Sequence, residues 1–117
     1  MDPVAITVGV SWLIIGSLCI VLAIPLMRGE VGRNAFYGAR FRESLESEEA
    51  WLAINRFAGR QAIIWSLPLL AIGAVSLFLP LQNHVALTLI LGFAPLVFIL
   101  APALNTWRFA RRRKDAA

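Results

Sequence analysis

Charged residues are scarce in this sequence and are missing altogether from three long stretches. Asp, Glu, Lys and Arg make up 15% of the 117 residues, whereas a soluble domain carries about 25%. Residues 4–27, 61–83 and 85–107 contain no charged side chain. Crossing the hydrocarbon core takes roughly 20 apolar residues in a helix. The sequence therefore predicts one all-α integral membrane domain over residues 1–117, with transmembrane helices at about 4–27, 61–81 and 85–107.

The missing charges also exclude several functions. Ion-coupled transporters keep an acidic or basic side chain inside a span, because such a costly group is retained for its function. Cys19 is the only cysteine and His84 the only histidine, so neither a disulfide within the chain nor a metal site of several such ligands is expected. His84 and the glutamates fall at opposite ends of the spans. We therefore expect no catalytic site, no enzyme activity and no cofactor.

The first apolar stretch is predicted to be a permanent helix rather than a cleaved signal. Asp2 precedes it without any Lys or Arg, it is longer than the apolar part of a signal peptide, and no Ala-x-Ala site follows.

The basic residues predict the orientation. Six arginines lie in residues 28–60, and the other five of the 11 basic residues lie in 108–114. Three spans place both segments on one side, which the positive-inside rule makes cytoplasmic. We expect a bacterial inner-membrane protein with its N-terminus outside, and with a basic tail at 108–117 that lies against anionic lipid. No nucleic-acid partner is needed to explain the net charge of +4.

Small residues and prolines predict how the spans pack. Small side chains let helix backbones approach closely, and they recur on one side of each span: Ala5, Gly9 and Gly16, then Ser66 and Gly73, then Thr88, Gly92 and Pro95. Pro68, Pro95 and Pro102 should each bend a helix, since proline removes a backbone donor. The short segment between the second and third spans predicts an antiparallel hairpin.

The cytoplasmic segment, residues 28–60, divides into two parts. Its first part is predicted to be an ordered or semi-ordered loop, and Ser47 is a suitable N-cap for a short amphipathic helix. Its apolar side would carry Ala50, Trp51, Ile54, Phe57 and Ala58, and its polar side Glu48, Glu49, Asn55, Arg56 and Arg60. Trp51 suits the lipid interface. Gly59 either ends this helix or bends it into the second span.

The stretch "GRNAFYGARFRESLESEEAWLAINRFAGR" resembles the motif of the SdpI family of bacterial membrane proteins. The matching positions are Asn34, Tyr37, Gly38, Arg40, Ser47, Trp51, Asn55, Arg56 and Gly59. The resemblance implies a role like that of the family's namesake, which gives immunity to a secreted peptide toxin and takes part in membrane signalling. Larger members carry further membrane segments before this unit. The implied partners are a peptide toxin or a cytoplasmic regulatory protein.

The motif residues also have physical interpretations of their own. Gly38 permits a turn that a side chain would block, and Asn34 is able to pair with loop backbone groups. Arg40 and Arg56 are able to clamp a carboxylate or a lipid phosphate. Glu46, Glu48 and Glu49 are available as their partners within the chain. The loop is then either an internally bonded lid or a binding site.

These observations favour a non-enzymatic SdpI-like protein of toxin immunity or membrane signalling. The candidate ligand- or partner-binding residues are Asn34, Tyr37, Gly38, Arg40, Trp51, Asn55 and Arg56. The alternative is a small structural subunit of a larger membrane complex, or a homo-oligomer. Lipid binding by Arg40 and Arg56 is a third hypothesis.

Overall fold

The protein is a bundle of α-helices. The computed structural model describes residues 2–116, with side chains through Lys114; Met1 and Ala117, which belong to the predicted domain and tail, lie outside this range. The helices are α1 (Pro3–Met27), α2 (Glu48–Ser76), α3 (Val85–Phe93) and α4 (Val97–Ala116), with 3-10 turns at Leu81–Asn83 and Ala94–Leu96. Three helical segments, Pro3–Met27, Glu48–Ser76 and Val85–Lys114, are long and apolar enough to cross a membrane. The all-α fold with three spans is thus confirmed.

Helix α2 combines the predicted amphipathic helix and the second span. It begins at the predicted cap, where the side chain of Ser47 accepts a hydrogen bond from the amide of Ala50. Glu48 and Glu49 occupy its first turn, where the helix dipole favours negative charge. The helix then continues through Gly59 for 29 residues. Of the two outcomes left open at Gly59, continuation into the span is the one found.

Glycines bring α1 and α2 together as antiparallel neighbours. A Cβ at Gly73 would lie 2.9 Å from the carbonyl oxygen of Gly9, and a Cβ at Gly9 would lie 2.7 Å from that of Gly73. Further along, a Cβ at Gly59 would lie 2.7 Å from the carbonyl oxygen of Ala23. The backbones therefore touch at both ends of the pair. The contact of Gly9 with Gly73 is the one that the small-residue patterns of the first two spans predict, whereas the contact at Gly59 was not predicted.

The third span packs against α2 through aromatic side chains. The rings of Phe57 and Phe109 stack with centroids 4.3 Å apart, and those of Trp65 and Phe98 lie 5.9 Å apart. The numbering rises along α2 as it falls along α4, which confirms the predicted antiparallel hairpin.

A bend at Pro95 divides the third span and directs α3 toward α1. Proline has no amide hydrogen, so the carbonyl of Leu91 loses its partner four residues on. The indole nitrogen of Trp12 donates to that carbonyl at 2.8 Å. Among the described residues, a Cβ at Gly92 would meet no atom within 4 Å, so the predicted close packing at Gly92 is wrong. Of the other two members of that set, Thr88 is half-buried and Pro95 is buried.

The bundle measures 54 × 24 × 21 Å, longer than the ~30 Å hydrocarbon core. We call the end with residues 28–47 the loop end and the end with residues 77–84 the turn end. At the loop end the predicted tail continues α4 as helix to Ala116.

Candidate functional site

The segment between α1 and α2, residues 28–47, is a folded loop, and we call it the motif loop. Asn34 organises its centre: its Oδ1 accepts from the amides of Phe36 and Tyr37 at 2.9 and 2.6 Å. Its Nδ2 donates to the carbonyls of Gly32 and Tyr37 at 2.9 and 3.0 Å. One side chain thus satisfies four backbone groups, the kind of local pairing expected of Asn34.

Gly38 follows with a φ of +113°, a conformation that only glycine adopts at low cost. Its backbone lies against α2, because a Cβ there would stand 2.7 Å from Oδ1 of Asn55 and 3.0 Å from the Trp51 ring. Oδ1 of Asn55 accepts from the amide of Ala39 at 2.6 Å, and its Nδ2 donates to the carbonyl of Trp51 at 3.0 Å. Gly38, Trp51 and Asn55 therefore form one contact between loop and helix.

Trp51 and Asn55 lie elsewhere than the sequence predicts. Trp51 was expected at the lipid interface, but it is 0% exposed and its indole nitrogen donates to the carbonyl of Val31 at 2.8 Å. Asn55 was assigned to the polar side of the helix, but it is 1% exposed. The loop covers both, and helical periodicity carries no information about a loop that folds back over the helix.

Two other side chains fix the loop. The hydroxyl of Tyr37 donates to the carbonyl of Leu22 in α1. Ser44, which the sequence patterns did not indicate, is 0% exposed. Its Oγ accepts a hydrogen bond from the amide of Phe41 at 2.8 Å and donates one to the carbonyl of Ala39 at 2.7 Å. The sequence carried no local signal for Ser44, because turn-closing side chains bond to backbone groups that follow them, whereas Ser44 bonds to residues that precede it.

Arg40 and Arg56 do not pair with Glu46, Glu48 or Glu49, the partners that the sequence suggests for them. Arg40 is exposed and forms no hydrogen bond or ion pair with the side chains through Lys114. Arg56 lies over Gly29, where a Cβ would be 2.6 Å from Nη2. Gly29 follows the C-terminus of α1, with a φ of +73°. A cation there is favoured by the helix dipole, so Arg56 is placed to stabilise the end of α1.

The glutamates pair with other basic residues. Glu48 lies 3.3 Å from Arg33, Glu49 lies 2.9 Å from Arg113, and Glu46 lies 3.4 Å from Lys114. The last two pairs join the start of α2 and the loop to the end of α4. The tail that sequence predicts as a lipid anchor therefore also holds the loop end together, although exposed pairs each contribute only about 0.2–1 kcal/mol.

Beneath the motif loop lies a partly open cleft of about 300 Å3 between α1, α2 and α4, which we call the central cleft. The loop contributes Ala39 and Phe41 to its lining, and the helices contribute Cys19, Ala62 and Pro102 among others. Small side chains on facing helices leave this space open. The hydrogen bonds of Asn55 and Ser44 to Ala39 hold the loop over it.

The lining of the central cleft is suited to apolar groups. None of the described charged side chains lines it, and the hydroxyls of Ser66 and Thr106 in its lining are already used within their own helices. Ser66 donates to the carbonyl of Ala62 at 2.5 Å, and Thr106 to that of Pro102 at 2.7 Å. A ligand would therefore be held by shape and by burial of apolar surface. Within the described residues, no cluster of His, Cys, Asp and Glu could hold a metal ion.

The comparison with known protein families extends over the loop and two spans. Residues 30–103 match the SdpI/YfhL protein family, a range that includes the motif loop from Glu30, all of α2 and the start of α4. No curated protein and no solved structure matched the chain. Since the family match covers more than half of the sequence, this multi-pass membrane protein belongs to the SdpI/YfhL family.

Proposed function

We propose that this chain is a non-enzymatic SdpI-like factor of the bacterial inner membrane that gives immunity to a membrane-active peptide toxin, and that the central cleft receives an apolar part of that peptide. The observation that carries the proposal is the position of the cleft. It opens between the three helices that are long and apolar enough to span a membrane, and Ala39 and Phe41 of the motif loop form its roof. A peptide that enters the bilayer presents the apolar side chains this lining accepts.

The motif loop supplies the signalling part of the proposal. Two of its residues, Ala39 and Phe41, line the cleft, and Arg40 between them is exposed on the surface. An occupied cleft would displace these two residues and so alter the surface that a cytoplasmic regulatory protein meets. Arg40 is the motif side chain best placed for such a partner, because it is exposed and unpaired with side chains through Lys114.

The test is survival of a bacterium sensitive to the toxin that the family's namesake neutralises. We expect the wild-type chain to protect, and Ala62→Phe, which fills the cleft, to abolish protection at equal expression. Ala71→Phe is the matched control, because Ala71 is exposed on the same helix, and it should protect as wild type does. Absence of protection by wild type, or full protection by Ala62→Phe, would contradict the proposal.

The orientation is part of the proposal, with the loop end in the cytoplasm. In a Cys19→Ser background, Asn83→Cys at the turn end should react with an impermeant maleimide in intact cells. Arg42→Cys in the loop should react only after the membrane is opened. Both positions are exposed. The reverse pattern would place the arginines outside and remove the cytoplasmic partner from the proposal.

A structural subunit of a larger complex is the second candidate function. The observation that favours it is the exposure of the third span. All residues of α3 are described, and none of them is buried. The space beside Gly92 is open and could receive another helix. Purification in a mild detergent separates the candidates. A large partner in fixed ratio supports the subunit, whereas a monomer or homo-oligomer supports the immunity factor.

A further inference from the structure

At the loop end, the basic residues of α4 divide into two groups. Arg113 and Lys114 turn toward α2 and pair with Glu49 and Glu46. Arg108, Arg111 and Arg112, which we call the arginine cluster, pair with no glutamate and line a pocket of about 540 Å3 that α4 forms with Phe57 and Gln61 of α2. No carboxylate lines this pocket among the described side chains. No carboxylate among the described side chains forms an ion pair with the cluster, so within this part of the chain its positive charge is available to an anionic ligand.

The remaining lining of this pocket is suited to the membrane interface. Gln61 and Asn105 are hydrogen-bonded to each other at 3.0 Å, and they add polar groups one to two turns below the arginines. Trp107 lies beside them, 41% exposed, with the guanidinium of Arg111 5.1 Å from the centre of its ring. Tryptophan is enriched at the level of lipid headgroups. Arginine forms bidentate, charge-assisted hydrogen bonds to phosphate.

An apolar groove continues from the cluster down the same side of α4. It is lined by Val97, Leu100 and Leu104 among others. Leu100, Leu104, Arg108 and Arg111 are spaced by four, four and three residues, which places them on one helix face. Leu100 and Leu104 are 66% and 46% exposed. This face thus offers a cationic pocket at the interface, directly followed by an apolar surface at the depth of acyl chains.

We propose that this face binds one anionic phospholipid, with its phosphodiester at Arg108 and Arg111 and an acyl chain along Leu100 and Leu104. Charge complementarity selects the anionic headgroup, and the apolar groove selects a lipid over free phosphate. The arginine pocket shares no lining residue with the central cleft, and the apolar groove adjoins the cleft at Ala103. The lipid site does not depend on the proposed immunity function.

Native mass spectrometry of the full chain in detergent tests the site, with phosphatidylglycerol and phosphatidylcholine as the probes. Wild type should retain one phosphatidylglycerol in preference to phosphatidylcholine. Arg108→Gln combined with Arg111→Gln should weaken that binding by about tenfold or more, since each interfacial arginine contributes about 1 kcal/mol and tenfold corresponds to about 1.4 kcal/mol. Arg28→Gln combined with Arg42→Gln removes the same charge from exposed positions of the motif loop and should change the binding by less than about twofold.

Equal losses in the two double variants would show only general attraction to the basic end and would overturn the proposal. So would the absence of a preference for phosphatidylglycerol, or its complete displacement by millimolar inorganic phosphate. If the double variant is unstable, Arg108→Lys with Arg111→Lys preserves charge but not the bidentate geometry, and it should still weaken binding severalfold. Phosphatidylglycerol with brominated acyl chains should quench a fluorescence component that Trp107→Phe removes. Quenching unchanged in Trp107→Phe would also contradict the assignment.

Discussion

The backbone of Gly38 lies directly against the side-chain amide of Asn55, where a Cβ would be only 2.7 Å from Oδ1. This contact joins the two halves of the family motif. The loop half supplies a backbone without a side chain, and the helix half supplies an amide that fixes the next residue, Ala39. Since Ala39 also lines the central cleft, the motif residues determine the shape of the cleft without lining it themselves.

Gly38→Ala should destabilise the motif loop. A non-glycine residue at a φ of +113° carries a strain of about 1–3 kcal/mol, and the new Cβ would displace Asn55. Gly32→Ala is the matched control, because among the described atoms its Cβ would meet only Glu48, at 3.4 Å. Thermal unfolding in detergent should show a clear loss for Gly38→Ala and little change for Gly32→Ala. Equal stability of the two variants would contradict the described turn.

Gly73→Ala should weaken the packing of α1 on α2. Its Cβ would lie 2.9 Å from the carbonyl oxygen of Gly9, and overpacking of this kind costs about 1–3 kcal/mol. Gly92→Ala is the control, since no described atom lies within 4 Å and alanine favours helix by about 0.5–1 kcal/mol. The free energy of unfolding in mixed micelles should fall for the first variant and stay equal or rise for the second. A loss of similar size in both would mean that the close approach of the helices is absent.

Trp12→Phe should destabilise the bend of the third span. The substitution leaves the carbonyl of Leu91 without the indole donor that now lies 2.8 Å away. An unsatisfied buried acceptor costs about 1–3 kcal/mol. Trp12→Phe combined with Pro95→Ala should recover part of the loss, because alanine restores an amide to that carbonyl. If the double variant is no more stable than Trp12→Phe, Pro95 is not the reason that Trp12 is needed.

Asp2 should make the turn end sensitive to acid. Desolvation raises its pKa, but hydrogen bonds from the amides of Gln82, Ala5 and Val4 outweigh this and hold the pKa below its usual value. A lowered pKa in the folded state stabilises the protein above the unfolded value of about 3.9, and this contribution is lost as the pH falls through the folded pKa.

Asp2→Asn supplies the comparison for this effect, because asparagine also caps helices but cannot ionise. The difference in melting temperature between wild type and Asp2→Asn should be largest near neutral pH and should shrink as the pH falls below the unfolded value and through the lowered folded pKa. A difference that is independent of pH would show that the carboxylate charge has no part in holding Gln82.

The three spans, the helix start at Ser47 and the close contact of α1 with α2 at Gly9 and Gly73 could all be predicted from the sequence. Membrane spans depend on local apolar length, and helix caps and small-residue spacings are local as well. The burial of Trp51 and Asn55 could not be predicted in this way. It depends on a loop that returns over the helix it precedes, and helical periodicity treats every polar residue as facing outward.

The ion pairs of the glutamates also could not be predicted from local sequence patterns. Proximity in sequence suggested that Glu46, Glu48 and Glu49 pair with the nearby arginines of the motif. Instead, Glu49 pairs with Arg113 and Glu46 with Lys114, each more than 60 positions away along the chain. That pairing follows from the hairpin, which returns α4 to the start of α2. The central cleft likewise arises from three helices and a loop, and no single segment reveals it.

The central claim is that the motif loop is a folded cover held by Asn55 over the cleft, and amide hydrogen exchange of residues 34–45 tests it most directly. In lipid nanodiscs, the amides of Tyr37, Ala39 and Phe41 should exchange far more slowly than those of an unstructured chain. Asn55→Ala should release Ala39 and its neighbours while α1 stays protected. Wild-type exchange at the rate of an unstructured chain across this segment would contradict the account.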